Sequence, residues 1–343
     1  MNYQGIIHRY GHLLDLPSHS KTISLLEGNT PLIPLPRLGK DLNCELYVKF
    51  EGLNPTGSFK DRGMTAAISE AVGRGAETVI CASTGNTAAS AAAYAARAGV
   101  RAIVLIPEGK VAIGKLAGAV AYGAEVIQVQ GSFDDALSLV VEITQKTPIA
   151  LVNSINPFRI EGQKTSAFEI CDDLTSAPDW LCLPVGNAGN ITSYWAGFKQ
   201  YEEGLPQVLG VQAAGAAPLV LGHPVDRPET IATAIRIGKP ARGEQALSAA
   251  EESNGKIIAV TDEEILLAQK ILAGEGIWVE PASAAGLAGL IIETARRSIN
   301  VKGKRVVVVC TGHGLKDTSV ITESFESPKI IPATYEALIG IIA

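Results

Sequence analysis

Residues 55–63 read PTGSFKDRG, and the lysine at their centre, Lys60, is the first residue whose setting suggests chemistry. It stands between an apolar, strand-like run and a helix-like run, with glycines at 57 and 63. An ammonium at a helix N-terminus opposes the helix dipole. That opposition, together with a partly dry cleft, lowers the amine pKa from its reference of ~10.4. A neutral amine is the form that condenses with an aldehyde to an imine. A solvated surface lysine is the plain alternative. Against it stand four further loops rich in Gly, Ser, Thr and Asn: ASTGNTAAS (82–90), NSINPFRIEGQKT (153–165), PVGNAGN (184–190) and CTGHGLKDT (310–318). In open α/β sheets, ligands bind where such loops leave the carboxyl ends of strands.

PVGNAGN follows the apolar run WLCLPV and precedes the helix-like ITSYWAGFKQY. Its small residues allow consecutive backbone N–H groups to converge on an anion at a helix start, as in a phosphate nest. A tight strand–helix turn would also account for the glycines. A nucleotide triphosphate loop is not supported. GKVAIGK (109–115) matches the first part of that pattern, but Leu116 follows and cannot hold magnesium. The dinucleotide pattern GxGxxG is absent. The five cysteines are widely spaced, with no CxxC pair or Cys/His cluster, so no metal site is expected. They suit reduced, buried thiols of a cytoplasmic protein.

Positioning these loops requires a scaffold. Nine apolar, β-branched runs alternate with longer amphipathic ones: ELYVKFE, ETVICAS, RAIVLIP, AEVIQVQ, PIALVN, DWLCLPV, QVLGVQA, KIIAV and KRVVVVC. Runs apolar throughout predict mostly parallel sheets covered by helices on both faces, an α/β protein. A compact, regular block at 58–146 and an irregular, proline-rich one at 205–255 favour two sheet domains with a cleft between them. The expected division is a smaller domain over 38–149 and a larger one from 1–37 and 150–343. TPLIPLPRL (30–38) reads as an extended linker. The chain has 343 residues, 47% apolar and 19% charged, enough for a sizeable core. A net charge of −6 with dispersed Lys and Arg predicts neither a nucleic-acid nor a membrane partner. No apolar stretch reaches the ~20 residues of a membrane span, and the N-terminus lacks the pattern of a secretory signal.

SFKDRG, STGNTAAS, NPFRIEGQKT, PVGNAGN, EPASAAGLAGL and TGHGLKD, in this order, resemble threonine synthase. This family belongs to the pyridoxal-phosphate enzymes of fold type II, the tryptophan synthase β type. The resemblance spans about residues 5–320. Thr318 departs from the proline that usually follows GLKD. The resemblance implies that Lys60 forms the covalent link to pyridoxal 5'-phosphate and acts as the catalytic base. Asn86 would bond the cofactor's phenolic oxygen. Gly186, Asn187, Ala188, Gly189 and Asn190 would cup its phosphate, and the Thr311 hydroxyl would face its pyridine nitrogen. Ser83, Thr84 and Thr87 match positions that bind the substrate α-carboxylate. Lys115, Asn153, Ser154, Arg159 and Asn187 match the substrate-phosphate site; for Lys115 and Arg159 ordinary surface charge is the alternative. Glu280 is expected to cap or orient the PASAAG helix.

The implied reaction turns O-phospho-L-homoserine and water into L-threonine and phosphate, in a cytoplasmic homodimer. A threonine or serine dehydratase, which needs no substrate-phosphate site, is the second reading. A catalytically idle cofactor-binding protein is the third, and Lys60 argues against it.

Overall fold

The computed structural model describes residues 2–109, 113–323 and 328–342. Each of the nine anticipated runs forms a strand, and one more precedes them. The strands are β1 (Leu32–Pro34), β2 (Glu45–Phe50), β3 (Thr78–Ala82), β4 (Arg101–Pro107), β5 (Glu125–Val129), β6 (Ala150–Leu151), β7 (Trp180–Pro184), β8 (Gln207–Ala213), β9 (Lys256–Val260) and β10 (Arg305–Cys310). They make two sheets, ordered β1-β2-β10-β7-β8-β9 and β5-β4-β3-β6. All pairings are parallel except β1 with β2.

The uniformly apolar strands are explained by helices on both faces. On β10, Val306, Val308 and Cys310 pack with the Pro281–Ala295 helix, whereas Val307 and Val309 pack with the Gly189–Tyr201 helix. On β3 and β4, Val79, Cys81, Val104 and Ile106 meet the Lys60–Gly73 and Asn86–Ala98 helices. Ile80, Ala82, Ile103 and Leu105 face the Phe133–Lys146 helix. Successive strand side chains point to opposite faces, so both registers must be apolar.

Two expectations are corrected. TPLIPLPRL is no linker: Leu32–Pro34 pairs with β2, and Pro36 opens a short helix, Pro36–Leu42. Pro36 suits that helix start because the first turn has no N–H bond to lose. The domain division shifts accordingly. β2 pairs with β10, so residues 45–50 belong to the larger sheet, while β6 pairs with β3 and lies in the smaller one. The strands of the smaller sheet therefore fall within 78–151, and the expected limits at 38 and 149 do not hold.

The helix opened by Lys60 also crosses Pro157–Leu174 at glycines. A Cβ on Gly162 would lie 1.9 Å from the Arg62 carbonyl oxygen, and one on Gly63 would lie 2.6 Å from Arg159 Nε. Beside this crossing, fully buried Arg62 donates to Glu51 at 2.7 Å and to Glu169 at 2.6 Å, and Lys49 lies 3.0 Å from Glu169. Burial alone would raise the Glu169 carboxyl, but Arg62 and Lys49 together hold it well below the usual carboxylate range. We expect Gly162→Ala to force these helices apart and to destabilise the protein by about 2 kcal/mol or more. Urea midpoints of the two proteins test this; an unchanged midpoint would show that the crossing can relax.

Candidate active site

The polar loops all leave carboxyl ends of parallel strands, and they come from both sheets. Ser83 follows β3 and Asn153 lies just beyond β6; Gly186 comes after β7 and Thr311 after β10. Lys60 begins its helix shortly after β2. Its loop is tied down on the larger sheet: Phe59 N–H donates to the Thr311 carbonyl at 3.0 Å, and Ser58 bridges Gly312. Asp61 ties the same loop to the smaller sheet. It accepts from Thr56 N–H at 2.7 Å, Thr56 Oγ1 at 2.6 Å and, on the Asn86–Ala98 helix, Ser90 Oγ at 2.6 Å.

Lys60 Nζ lies 4.3 Å from the centre of the Phe59 ring. Burial lowers its amine to about 7, the nearby Arg159 charge adds to the shift, and Glu280 opposes it. Near neutrality, then, much of the amine is in the unprotonated, nucleophilic form that imine formation requires.

Three features of the surroundings fit a phosphorylated cofactor and an anionic substrate. In PVGNAGN, Ala188 adopts the left-handed conformation (φ 64°) as the residue before the Gly189–Tyr201 helix. That conformation turns successive N–H groups toward one point, and the space beside the Gly189 Cα is open. Among the described residues, neither the oxygen nor the nitrogen of the buried Asn190 side chain has a partner, and the buried Ser58 hydroxyl has none. Arg159 is fully buried; Nη1 donates to the Val152 carbonyl at 2.9 Å, while Nε and Nη2 have no partner among the described residues. Buried polar groups left unpaired are costly, and anionic oxygens would satisfy them.

The remaining anticipated residues divide. Asn86 starts its helix and donates from Nδ2 to both Glu280 oxygens, at 3.1 and 3.2 Å. Ser83 Oγ accepts from the N–H groups of Gly85 at 3.3 Å and Ala88 at 3.2 Å, with Thr84 and Thr87 half-buried beside it. Asn187 donates from Nδ2 to Ser154 Oγ at 3.1 Å and accepts from Ala241 N–H at 2.8 Å, joining the two sheets' loops. The Asn153 amide is taken up by the Ala82 main chain, at 3.0 and 2.9 Å, so its side chain holds the end of β3. The Lys115 side chain lies outside the described residues; its backbone belongs to the Ile113–Ala121 helix.

Thr311 Oγ1 is 2.9 Å from Ser283 Oγ, which also accepts from Gly312 N–H at 2.8 Å. Asp317, further along the same loop, accepts from Thr233 at 2.8 Å and Ser319 at 2.8 Å. Sequence reasoning missed Ser283, Ser90 and the direction of Glu280. A serine amid the alanines of PASAAG, and another four residues after Asn86, were the available signals. Glu280 does precede its helix, but its side chain accepts from none of that helix's N–H groups. It turns toward Asn86.

The sequence matches the model of the family "Pyridoxal-phosphate dependent enzyme" over residues 23–312. Threonine synthase of Halalkalibacterium halodurans is 56% identical, covering 98% of this chain and 97% of its own. That of Methanocaldococcus jannaschii is 54% identical, over 93% and 83%. The chain belongs to the threonine synthases of the pyridoxal-phosphate-dependent enzymes. The threonine synthase of Mycobacterium tuberculosis (strain H37Rv) is 52% identical over 98% of this chain and 95% of its own. Among solved structures, a T.th. threonine deaminase aligns with TM-score 0.71 and 26% identity, over 90% of this chain and 96% of that one. A fungal L-serine ammonia-lyase from Rhizomucor miehei shares the fold, with TM-score 0.75 and 24% identity over 87% and 97%. As a member of this family the chain is a lyase that uses pyridoxal phosphate.

Proposed function

We propose that this threonine synthase converts O-phospho-L-homoserine and water to L-threonine and phosphate, with Lys60 as the catalytic residue. The observation that carries the reading is Arg159, a fully buried guanidinium with two nitrogens unpartnered among the described residues, whose charge acts on Lys60. A dehydratase acting on plain threonine or serine brings no substrate phosphate to meet that cation.

Bound at Lys60, the cofactor supplies an electron sink for carbanions at the substrate's α- and β-carbons. The residues of the chain do the rest. Lys60, released when the substrate amine takes its place, removes the α-proton and later a β-proton. Ser83, Thr84 and Thr87, at the start of the Asn86–Ala98 helix, receive the α-carboxylate, which the helix dipole favours. Arg159 and the Asn187–Ser154 pair hold the phosphate while the γ-carbon–oxygen bond breaks. Lys115 belongs to the same proposed set. The γ-carbon ends as a methyl group and a water oxygen bonds to the β-carbon. Water must stay out until then, so the smaller sheet is proposed to move toward the larger when substrate binds. A homodimer in the cytoplasm completes the proposal, carried by the family resemblance; sedimentation analysis tests the dimer.

Phosphate release from O-phosphohomoserine, coupled to amino-acid analysis of the product, tests the reaction. Threonine in equal amount to phosphate is expected. Release of ammonia and a keto acid instead would transfer the assignment to the dehydratases.

The lowered amine has its own consequence. Below about pH 7 Lys60 is mostly protonated and cannot attack an aldehyde, whereas above it the free amine dominates. The rate at which the apoprotein takes up pyridoxal phosphate should climb with pH and level off above about 7. Stopped-flow absorbance near 410 nm, roughly the band of the bound cofactor, reads this rate. A rate still rising toward ~10, as for an ordinary lysine, would remove the argument from burial.

A further inference from the structure

Glu280 is only 4% exposed, and the Asn86 amide is the one hydrogen-bond donor its carboxylate meets among the described residues. It follows Val279 and precedes Pro281 on the larger sheet's side, 194 residues along the chain from Asn86. A glutamate at that place can cap the helix it precedes, yet it accepts none of that helix's N–H groups. Burial pushes the carboxyl up to about 7, against the bond from Asn86 and the charge of Lys316. The carboxyl also lies against Gly312, where a Cβ would come within 2.4 Å of Oε1. The Glu280 carboxyl thus lies between Gly312 and the Asn86 amide.

We propose that Glu280 is a positioning residue that orients the Asn86 amide, keeping Nδ2 on the side from which it can also donate to the cofactor's phenolic oxygen. An asparagine amide has a donor end and an acceptor end of nearly equal size. An ionised carboxylate satisfies only the donor end, so above about pH 7, where Glu280 is mostly charged, the flipped arrangement is excluded. The amide nitrogen has two hydrogens: one goes to Glu280, and the second remains for the cofactor. The same bond fastens the first turn of the Asn86–Ala98 helix to the larger sheet, so it sets the smaller sheet's approach to Lys60. This inference rests on the proposed cofactor site at Lys60 and Asn86.

The test compares Glu280→Gln, Glu280→Leu and Gly312→Ala by the absorbance of bound pyridoxal phosphate as a function of pH. Glutamine and leucine both remove the charge, but only glutamine keeps an oxygen to accept from Asn86. Gly312→Ala keeps the carboxylate and displaces it; its backbone is not in the left-handed region, so alanine is allowed there. Loss of one hydrogen bond to the ionised phenolic oxygen should move the pH midpoint of the ~410 nm band by about one unit. Glu280→Leu and Gly312→Ala should show that shift, and Glu280→Gln, whose amide can pair with either end of Asn86, should shift by clearly less than leucine. Spectra of leucine and alanine variants that match wild type, with only their melting temperatures lowered, would overturn the proposal. So would equal shifts in the glutamine and leucine variants, because charge alone would then explain them. Wild-type protein that forms no such band, or keeps it in Lys60→Ala, would instead refute the cofactor site itself.

Discussion

Lys60→Ala should abolish turnover while the protein still folds. The side chain serves twice, as the amine that joins the cofactor and as the base that moves the α- and β-protons. Removing it therefore removes two functions whose losses do not add independently. The fold depends little on it. Its neighbours Asp61 and Arg62 carry the structural bonds of this helix turn, to Thr56, Ser90, Glu51 and Glu169. A buried amine with a lowered pKa contributes nothing favourable as a charge. Circular dichroism and melting should be close to wild type, with no phosphate released above background. A folded variant retaining about a tenth of wild-type turnover would overturn the assignment of Lys60.

Arg159→Ala should separate phosphorylated from unphosphorylated substrates. The guanidinium is enclosed, bonded only to the Val152 carbonyl, with no carboxylate in ion-pair reach among the described residues. Two charge-assisted bonds from it to a phosphate, shielded from water, are together worth ~3 kcal/mol or more. Its loss should lower kcat/KM for O-phosphohomoserine at least ~100-fold. Cofactor affinity and any slow deamination of threonine should fall far less, by no more than the loss of the Arg159 charge beside Lys60 entails. The stability of the free protein carries an opposite sign. Burial already depresses this guanidinium to about 10, the mark of a charge held at a cost. Arg159→Met, which keeps most of the volume, should melt no lower than wild type. Equal kinetic losses with both substrates, together with a lower melting point, would make Arg159 a structural residue and favour the dehydratase reading.

The two predictions draw on different depths of information. That Lys60 opens a helix behind a strand is written in adjacent residues, because a β-branched run and a following 3.6-residue periodicity are local patterns. The same holds for the nine strand runs, the parallel α/β class and the strand-to-helix turn at PVGNAGN. There the glycines and Ala188 have to meet a backbone requirement within a few residues. The motif order was equally legible, and with it the threonine synthase family.

Tertiary structure alone decided where distant segments meet. Leu32–Pro34 is a strand because β2 offers an open edge, which nothing in TPLIPLPRL reveals. Residues 45–50 joined the larger sheet because β10, near the other end of the chain, pairs with them. The Asn153 side chain went to the Ala82 main chain, and Glu280 turned from its own helix to Asn86. A side chain's partner is chosen by burial and by the polar groups that must be satisfied around it. Those groups lie on other elements, so residue type and spacing identify the chemistry available while the packed fold assigns each group its task.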